Sequence, residues 1–597
     1  MQDLIIGMAG SGGDGIVSAG ESLLSAFAEE GYYALLSKSF GSQIRGGESS
    51  CRVRVSPNPV LNSGGEIDVA VVLNWEFFLR FSGDLSVHED TVVIYEKKSG
   101  VAPADIPLDV KLERVFEAPM EDLAMQSAGV LQAKNNVVLG LLTEWFGLPE
   151  KSIVNGIVKK FSKKGEDILQ GNLKAYQAGR NYAVEHPLGI DMKLDKPRLE
   201  KNKRIISDGN EMCARGALYA GCQFFGGYPI TPASEIMQYM QKEIWKYGGT
   251  CLQAEDEIAG VAAVLGASYA GKKAMTATSG PGFSLKTEVL GLASAAEFPL
   301  VCINVQRGGP STGMPTKQEQ ADLFTAVFSA HGDTVRPVLA PINAADAFPT
   351  TVEAFNIAEA YQTPVIVLSD QEIAQSKGIL PVIDVSQLKI VNRLEPNAEE
   401  LKSYQRFKIT ETGVSPISRP GMFGGNYLAA GLEHDEKGAP SSNGEMHSRM
   451  NEKRLQKFNP LKQREDLFII EGDRDATIGL IAWGNVAGIA QEAIRVARTE
   501  GIKVKLLIPK LLYPIAEEVF NDFFKSLSRC VVIEQSHQGQ LYRIIRMWAN
   551  VPKQFTSVSK SGANRISPRE IIQLIRVMGQ PKTDKFNSHY CDLLNLI

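Results

Sequence analysis

Thr231 stands in the run Tyr228-Pro229-Ile230-Thr231-Pro232, where two prolines bracket one isoleucine and one threonine just after Gly226 and Gly227. Proline fixes its own φ, removes a backbone donor and drives the preceding residue out of the α region, so Tyr228 and Thr231 are both held extended. A hydroxyl on so stiff a corner is suited to a bound molecule; it is equally suited to capping a helix expected to start near Ala233. Three further stretches carry groups of the same kind. Glu255, Asp256 and Glu257 open a run of small apolar residues with helical spacing. Acids there complement the helix dipole, and the small side chains predict a helix packed deeply enough to aim one carboxylate inward. Residues 278–285, TSGPGFSL, read as a glycine-proline loop that permits close backbone approach to a ligand. Residues 306–323 offer Arg307, Ser311, Thr312 and Lys317, two cations beside hydroxyls and glycine amides, which is chemistry for a small carboxylate. Each stretch follows an apparent strand, and open α/β sheets bind ligands at that carboxyl edge.

Positioning such groups requires parallel strands alternating with helices, and the chain supplies them repeatedly. Residues 1–185 read as an α/β domain with a parallel, doubly wound sheet. Residues 186–204, charged, proline-bearing and aperiodic, read as a linker. A second α/β domain is expected over 205–389. Residues 390–465 are polar and rich in glycine, proline and serine, a connecting segment long enough to be either functional or disordered. A third α/β domain is expected over 466–597. The fold class is therefore α/β, multidomain, with doubly wound sheets.

A glycine motif near the N-terminus is less informative. Gly10, Gly12 and Gly15 satisfy G-x-G-x-x-G between a strand and a helix, the context of a dinucleotide fingerprint. The strand YYALLSKSF that follows ends without the acid that would hold ribose, so a tight strand-to-helix turn is the simpler reading. In the glycine-rich loop beyond it, Arg45 is either a solvated charge or a bidentate anion contact.

Composition excludes several classes. The 597 residues are 44% hydrophobic and 22% charged, with 63 basic and 68 acidic residues giving −5, ordinary for a globular protein. No basic stripe interleaved with aromatics points to nucleic acid. The seven cysteines, Cys51, Cys213, Cys222, Cys251, Cys302, Cys530 and Cys591, include no CxxC pair, which excludes a local iron–sulfur or zinc knuckle and does not suggest a disulfide framework. No signal-peptide pattern opens the sequence, and no apolar run reaches the roughly 18 to 20 residues of a membrane span. The expectation is a cytoplasmic protein with no membrane and no nucleic-acid partner.

The stretches GGYPITPASE, LQAEDE, TSGPGFSL and GPSTGMPTKQEQADL together resemble the α subunit of 2-oxoacid:ferredoxin oxidoreductases. The resemblance covers nearly the whole chain. Residues 1–185, with GSGGDGIVSAG and RGGESS, resemble the γ subunit fused in front; the second region is similar to a pyrimidine-type thiamine-diphosphate-fold domain; and WGNVAGIAQEA and VIEQSHQGQL resemble the transketolase C-terminal-like domain. In that family thiamine diphosphate decarboxylates a 2-oxoacid, iron–sulfur clusters carry off the electrons, and coenzyme A takes the acyl group.

The resemblance implies roles. Thr231 would hydrogen-bond the oxoacid. Glu255 would be the catalytic glutamate, reaching across a subunit interface to the aminopyrimidine so that its imino tautomer deprotonates the thiazolium carbon. Tyr228 and Pro229 would flank the cofactor. Lys317 stands where several relatives have an arginine for the substrate carboxylate. The γ–α fusion and GMPTK look most like the 2-oxoglutarate branch, whose second carboxylate needs another cation, with Arg45 and Arg307 as candidates. The family's metal motif, GDG followed some thirty residues on by paired asparagines, is absent, because Asn135 and Asn136 lie far beyond Gly15. The resemblance therefore implies a β subunit that carries Mg²⁺ and a [4Fe-4S] cluster, shares thiamine diphosphate at the interface, and passes electrons to ferredoxin within an (αβ)₂ assembly. The reaction would yield succinyl-CoA and carbon dioxide, or fix carbon dioxide in reverse. Pyruvate or branched-chain oxoacids are the alternative substrates, and a non-catalytic nucleotide-binding scaffold is the alternative from another class.

Replacing Arg45 or Arg307 by alanine is expected to reduce 2-oxoglutarate turnover more than turnover of a monocarboxylate oxoacid. Parallel assays of both substrates check this, and equal losses would remove the second-carboxylate role.

Overall fold

The structure, a computed structural model, describes residues 3–41, 47–99, 110–197 and 203–580. The chain divides into two compact units. The first comprises residues 1–208, 375–383 and 563–568, and the second 209–374, 384–562 and 569–597.

The first unit is built on one eight-stranded sheet. Its strands are β1 (Leu4–Ser11), β2 (Tyr33–Phe40), β3 (Glu48–Ser56), β4 (Val69–Val72), β5 (Val92–Glu96), β6 (Arg114–Ala118), β7 (Arg204–Ser207) and, from far along the chain, β14 (Lys377–Pro381). The order is β6-β5-β4-β1-β3-β2-β14-β7. Of the neighbouring pairs only β1–β4, β4–β5 and β5–β6 are parallel; β3 runs antiparallel to both β1 and β2, and β14 to both β2 and β7. The all-parallel sheet expected here is thus mixed: β2 ends at Phe40 and β3 begins at Glu48, a separation in sequence too short for the crossover that parallel strands need. Residues 188–194, within the stretch read as a linker, pack Leu188, Ile190, Met192 and Leu194 against the core of this unit.

The glycine motif is a tight turn that closes on itself. Gly15 has φ +72°, left-handed, ahead of the helix Ile16–Glu30, a conformation natural to glycine. The Asp14 carboxylate accepts the Ser11 N–H at 2.8 Å and pairs with the buried Lys134 at 3.1 Å. The loop's own acid thus ties the turn to its own backbone and to Lys134.

The second unit holds two sheets. One contains β8 (Phe224–Gly227), β9 (Thr250–Gln253), β10 (Ala274–Thr278), β11 (Leu300–Gln306), β12 (Val338–Leu339), β13 (Pro364–Asp370) and β18 (Leu511–Tyr513), in the order β18-β12-β13-β11-β10-β8-β9. All neighbours are parallel except the β12–β18 pair. Every residue of β10, β11 and β13 is buried, as expected of strands covered on both faces. The other sheet, β15 (Phe468–Gly472), β16 (Ile478–Ala482), β17 (Lys505–Pro509), β19 (Arg529–Glu534) and β20 (Gln554–Ser559), is parallel apart from β15.

The 390–465 segment is neither loose nor featureless. It forms the helix Gly444–Gln456 and packs through buried charge. Arg393 forks onto Glu359 at 2.6 and 2.8 Å. Arg406, fully buried, donates to the Glu297 carbonyl at 2.7 Å. Lys453 and Lys457 hold the two Glu297 oxygens at 2.6 and 3.1 Å. The two lysines and the Arg406 charge hold the Glu297 carboxyl well below its ordinary range, while burial pushes Lys457 down to about 8. Among the described residues no helix is long and apolar enough to cross a membrane.

Removing the single anion from this cluster leaves cations buried without compensation, a loss of about 3–5 kcal/mol. Glu297→Gln is therefore expected to bring an earlier thermal transition and faster proteolysis within 390–465, measured by calorimetry and limited digestion. An unchanged melting profile would show that the cluster does not hold the segment.

Candidate active site

In the second unit the four chemistry-bearing stretches leave the carboxyl ends of four consecutive strands. The Tyr228 corner follows β8, Glu255 follows β9, Gly280 follows β10 and Arg307 follows β11, in the spatial order β11-β10-β8-β9. Gly227 pairs with Gln253 in register, and the Ala254 N–H donates to the Gly227 carbonyl at 2.9 Å, so the corner and Glu255 issue from adjoining strand ends.

The Tyr228–Pro232 corner is held from two directions. Asn210, buried at the start of the helix Gly209–Tyr219, donates to the Pro232 carbonyl at 2.7 Å. From β11, the Arg307 Nη1 donates to the Thr231 carbonyl at 2.5 Å. Backbone anchoring leaves the Thr231 side chain uncommitted: residue 231 is exposed, and the helix beyond it, Ser234–Glu243, takes Ala233 rather than Thr231 at its N-cap. Tyr228 and Pro229 are exposed beside it.

Only one of the three acids after β9 caps the following helix. Asp256 takes the N-cap of Glu257–Tyr269, its carboxylate accepting the Ala259 N–H at 2.7 Å, and Glu257 is buried in the first turn. Glu255 precedes the cap, exposed, with no hydrogen-bond or ion-pair partner among the described residues. The expectation of a deeply packed helix is corrected on one side: Ile258, Ala259 and Ala262 are exposed. Residues 280–285, expected as loop, are instead the first turns of the helix Gly280–Ala295. Proline near its start is compatible with this, since the first turn needs no intrahelical donor.

The loop after β11 carries most of the remaining polar chemistry. Arg307 is only 6% exposed and its Nε has no partner. It lines a cavity of about 570 Å³ with Gly280, Ser284, Ser311, Asp322 and Gln540. The helix Gly280–Ala295 presents its N-terminus there without a side-chain cap, because the Ser279 hydroxyl is buried and unpartnered. Asp322 accepts from Asn304 Nδ2 at 2.8 Å through Oδ2. Burial lifts its carboxyl to about 6, against the downward pull of Asn304 and Arg307. Lys317 is half-buried in the same loop, its carbonyl accepting the Gly308 N–H at 2.9 Å. Arg45 lies outside the described residues.

Three consecutive residues that sequence reasoning left without a role fix this loop. Gln318 accepts from Asn485 at 3.3 Å. Glu319 accepts the N–H groups of Gly309 at 3.0 Å and Gly562 at 2.9 Å. Gln320, fully buried, donates its Nε2 to the Trp483 carbonyl at 2.8 Å, accepts the Gln535 N–H on its Oε1 at 2.8 Å, and donates its own backbone N–H to the Gln535 carbonyl at 2.7 Å. The run of three amide or acid side chains was visible in the sequence, but apart from Gly309 their partners lie more than 160 positions away. Asp322 was likewise missed; its signal was an acid four residues before apolar Ala326, indistinguishable from a helix-start charge.

An unengaged carboxylate, Glu255, lies one strand from a rigid hydroxyl-bearing corner, a set of groups that the aminopyrimidine end of thiamine diphosphate would fit. Among the described residues no three His, Cys, Asp or Glu side chains are grouped to hold a metal ion. Three family models match the chain. They are pyruvate flavodoxin/ferredoxin oxidoreductase, thiamine diphosphate-binding, over residues 215–453; pyruvate ferredoxin/flavodoxin oxidoreductase over 5–182; and pyruvate:ferredoxin oxidoreductase core domain II over 476–571. The protein is an oxidoreductase subunit with a thiamine diphosphate-binding domain.

The relatives define it further, and the chain belongs to the α subunits of the 2-oxoacid:ferredoxin oxidoreductases. It is 32% identical to the 2-oxoglutarate oxidoreductase subunit KorA of Mycobacterium tuberculosis, over 92% of this chain and 87% of that one. It is 29% identical to the 2-oxoacid:ferredoxin oxidoreductase 2 subunit alpha of Aeropyrum pernix, over 94% and 96%. A solved 2-oxoglutarate:ferredoxin oxidoreductase from Magnetococcus marinus, with 2-oxoglutarate, coenzyme A and succinyl-CoA bound, superposes with TM-score 0.91 at 37% identity, covering 97% of this chain and all of that one.

Glu319→Ala removes a charged acceptor from two backbone donors, a loss of about 3 kcal/mol in local stability. Hydrogen exchange at the Gly309 and Gly562 amides is expected to quicken more than a hundredfold. Unchanged exchange at both would show that other contacts hold the loop.

Proposed function

We propose that this α subunit acts in the CoA-dependent oxidative decarboxylation of 2-oxoglutarate, giving succinyl-CoA, carbon dioxide and reduced ferredoxin, or the reverse. The observation that carries the reading is the Arg307–Thr231 hydrogen bond, which joins a cation and a hydroxyl-bearing corner from different strands into one binding edge. The substrate choice is supported by the KorA relatives and by the 2-oxoglutarate bound in the Magnetococcus marinus enzyme, and by two cations on one loop, Arg307 and Lys317, as a dicarboxylate requires.

When bound, thiamine diphosphate supplies the nucleophilic carbon that cleaves the oxoacid's carboxylate. The roles of this chain's residues are positional and electrostatic. Glu255 would meet the pyrimidine ring with its carboxylate and so bias where the ring's proton resides. Tyr228 and Pro229 would form the wall beside that ring. Thr231 donates its hydroxyl to the oxoacid, held to a fixed orientation by its own tethered backbone; such preorganisation is rewarded because small misplacements are costly in rate. Arg307 and Lys317 bind carboxylates, Arg307 as a fork and Lys317 as a point charge. The diphosphate, Mg²⁺ and [4Fe-4S] cluster belong to a β subunit, with which the active site is completed in an (αβ)₂ assembly in the cytoplasm.

Thr231→Ala is expected to lower turnover by about 10- to 100-fold, the worth of one hydrogen bond to a charged substrate, while thermal stability and subunit assembly are retained. Thr231→Ser is expected to recover most of the rate. Steady-state assays of the co-expressed complex check both, and wild-type turnover in the alanine variant would make the corner merely structural.

A further inference from the structure

One ionisable group on the site cavity has no role in the account above. Asp322 faces the cavity from the end of the 307–322 loop, beside Arg307 and the first turn of the helix Gly280–Ala295. A Cβ added at Gly280 would lie 3.4 Å from its Oδ2, which places the carboxyl against the uncapped end of that helix. Helix N-termini and arginines both attract anions. The anion position between them is thus already shared with an internal carboxylate.

The two oxygens of Asp322 are not equivalent. Oδ2 is fixed by the fully buried Asn304, whereas Oδ1 has no hydrogen-bond partner among the described residues. The backbone at Asp322 is set by Gln306, whose Oε1 accepts its N–H at 3.1 Å. The carboxyl therefore presents one free oxygen in a fixed direction. As an anion, that oxygen repels an incoming carboxylate; as the neutral acid, it becomes a donor to it.

We propose that Asp322 takes up a proton when a 2-oxoacid binds and that its Oδ1–H, together with Arg307, holds a substrate carboxylate. This rests on the substrate reading above. Burial already raises the carboxyl to about 6, and a second negative charge nearby raises it further, so the proton comes from solvent and leaves when product departs. The other ionisable groups facing Asp322 are Arg307, Glu319 and His537. Glu319 is engaged by two backbone amides, and His537 contacts Ser561 at 3.1 Å. Substrate affinity should accordingly fall as pH rises above the free-site value, about tenfold per unit.

Two measurements on the assembled αβ enzyme test this. Calorimetric titration with 2-oxoglutarate at pH 7.5, run in phosphate and in Tris, is expected to show uptake approaching one proton per site. Steady-state KM for 2-oxoglutarate is expected to rise about tenfold from pH 7 to pH 8 in the wild type and to stay within twofold in Asp322→Asn, whose amide donates at every pH. Binding without proton uptake overturns this inference alone. A slope that persists in Asp322→Asn also overturns it, assigning the pH dependence to another group. Absence of binding by any 2-oxoacid overturns both this inference and the substrate reading on which it rests.

Discussion

The hydrogen bond from Arg307 to the Thr231 carbonyl is the constraint on which the rest of the site depends. It links residues 76 positions apart and joins the ends of two strands that are not neighbours, since β10 lies between β8 and β11. A guanidinium fork makes this possible, because one nitrogen can be committed to the backbone while the others remain directed elsewhere. The same contact orients the corner and fixes the cation. A shift at one strand end is therefore felt at the other, which is how a sheet edge built from loops attains the precision of a rigid element.

That constraint is itself supported by the Gln318-Glu319-Gln320 run. The β11 loop returns over the cavity only because these three side chains bond Asn485, Gly562 and Trp483, in or beside the five-stranded sheet. The second unit thus contains two sheets that share a polar seam, and the functional loop lies on it. Buried amides and an acid suit such a seam, because each unsatisfied partner would cost as much as a lost hydrogen bond. The Glu297 cluster performs a similar task for the 390–465 segment, with charge in place of amides.

The strand ends that carry the four stretches were more legible in the sequence than the order and direction of the sheets around them. The four stretches were found because proline, glycine and charged residues after apolar runs are local signals, and local signals predict strand ends well. The parallel strands β8 to β13 of the seven-stranded sheet followed from the same alternation; the antiparallel β18, from residue 511 on, did not. Less visible was anything set by distant partners. Strand β14 enters the first unit's sheet from beyond residue 375, and no local pattern reveals that. The mixed direction of β1, β3 and β2 was hidden because buried strands of either direction read as apolar runs. Asp322 escaped notice because its significance lies in the cavity it faces and in the Asn304 bond, both tertiary.

The central claim is that this chain contributes one half of a thiamine-dependent 2-oxoglutarate site and that a second subunit completes it. The most direct measurement is native purification of the chain with whatever accompanies it, followed by CoA-dependent viologen reduction with 2-oxoglutarate and pyruvate in parallel. The account predicts a co-purifying subunit with clustered cysteines, bound thiamine diphosphate and faster reduction with 2-oxoglutarate. Activity of the chain alone, or a complex that prefers pyruvate, would contradict it.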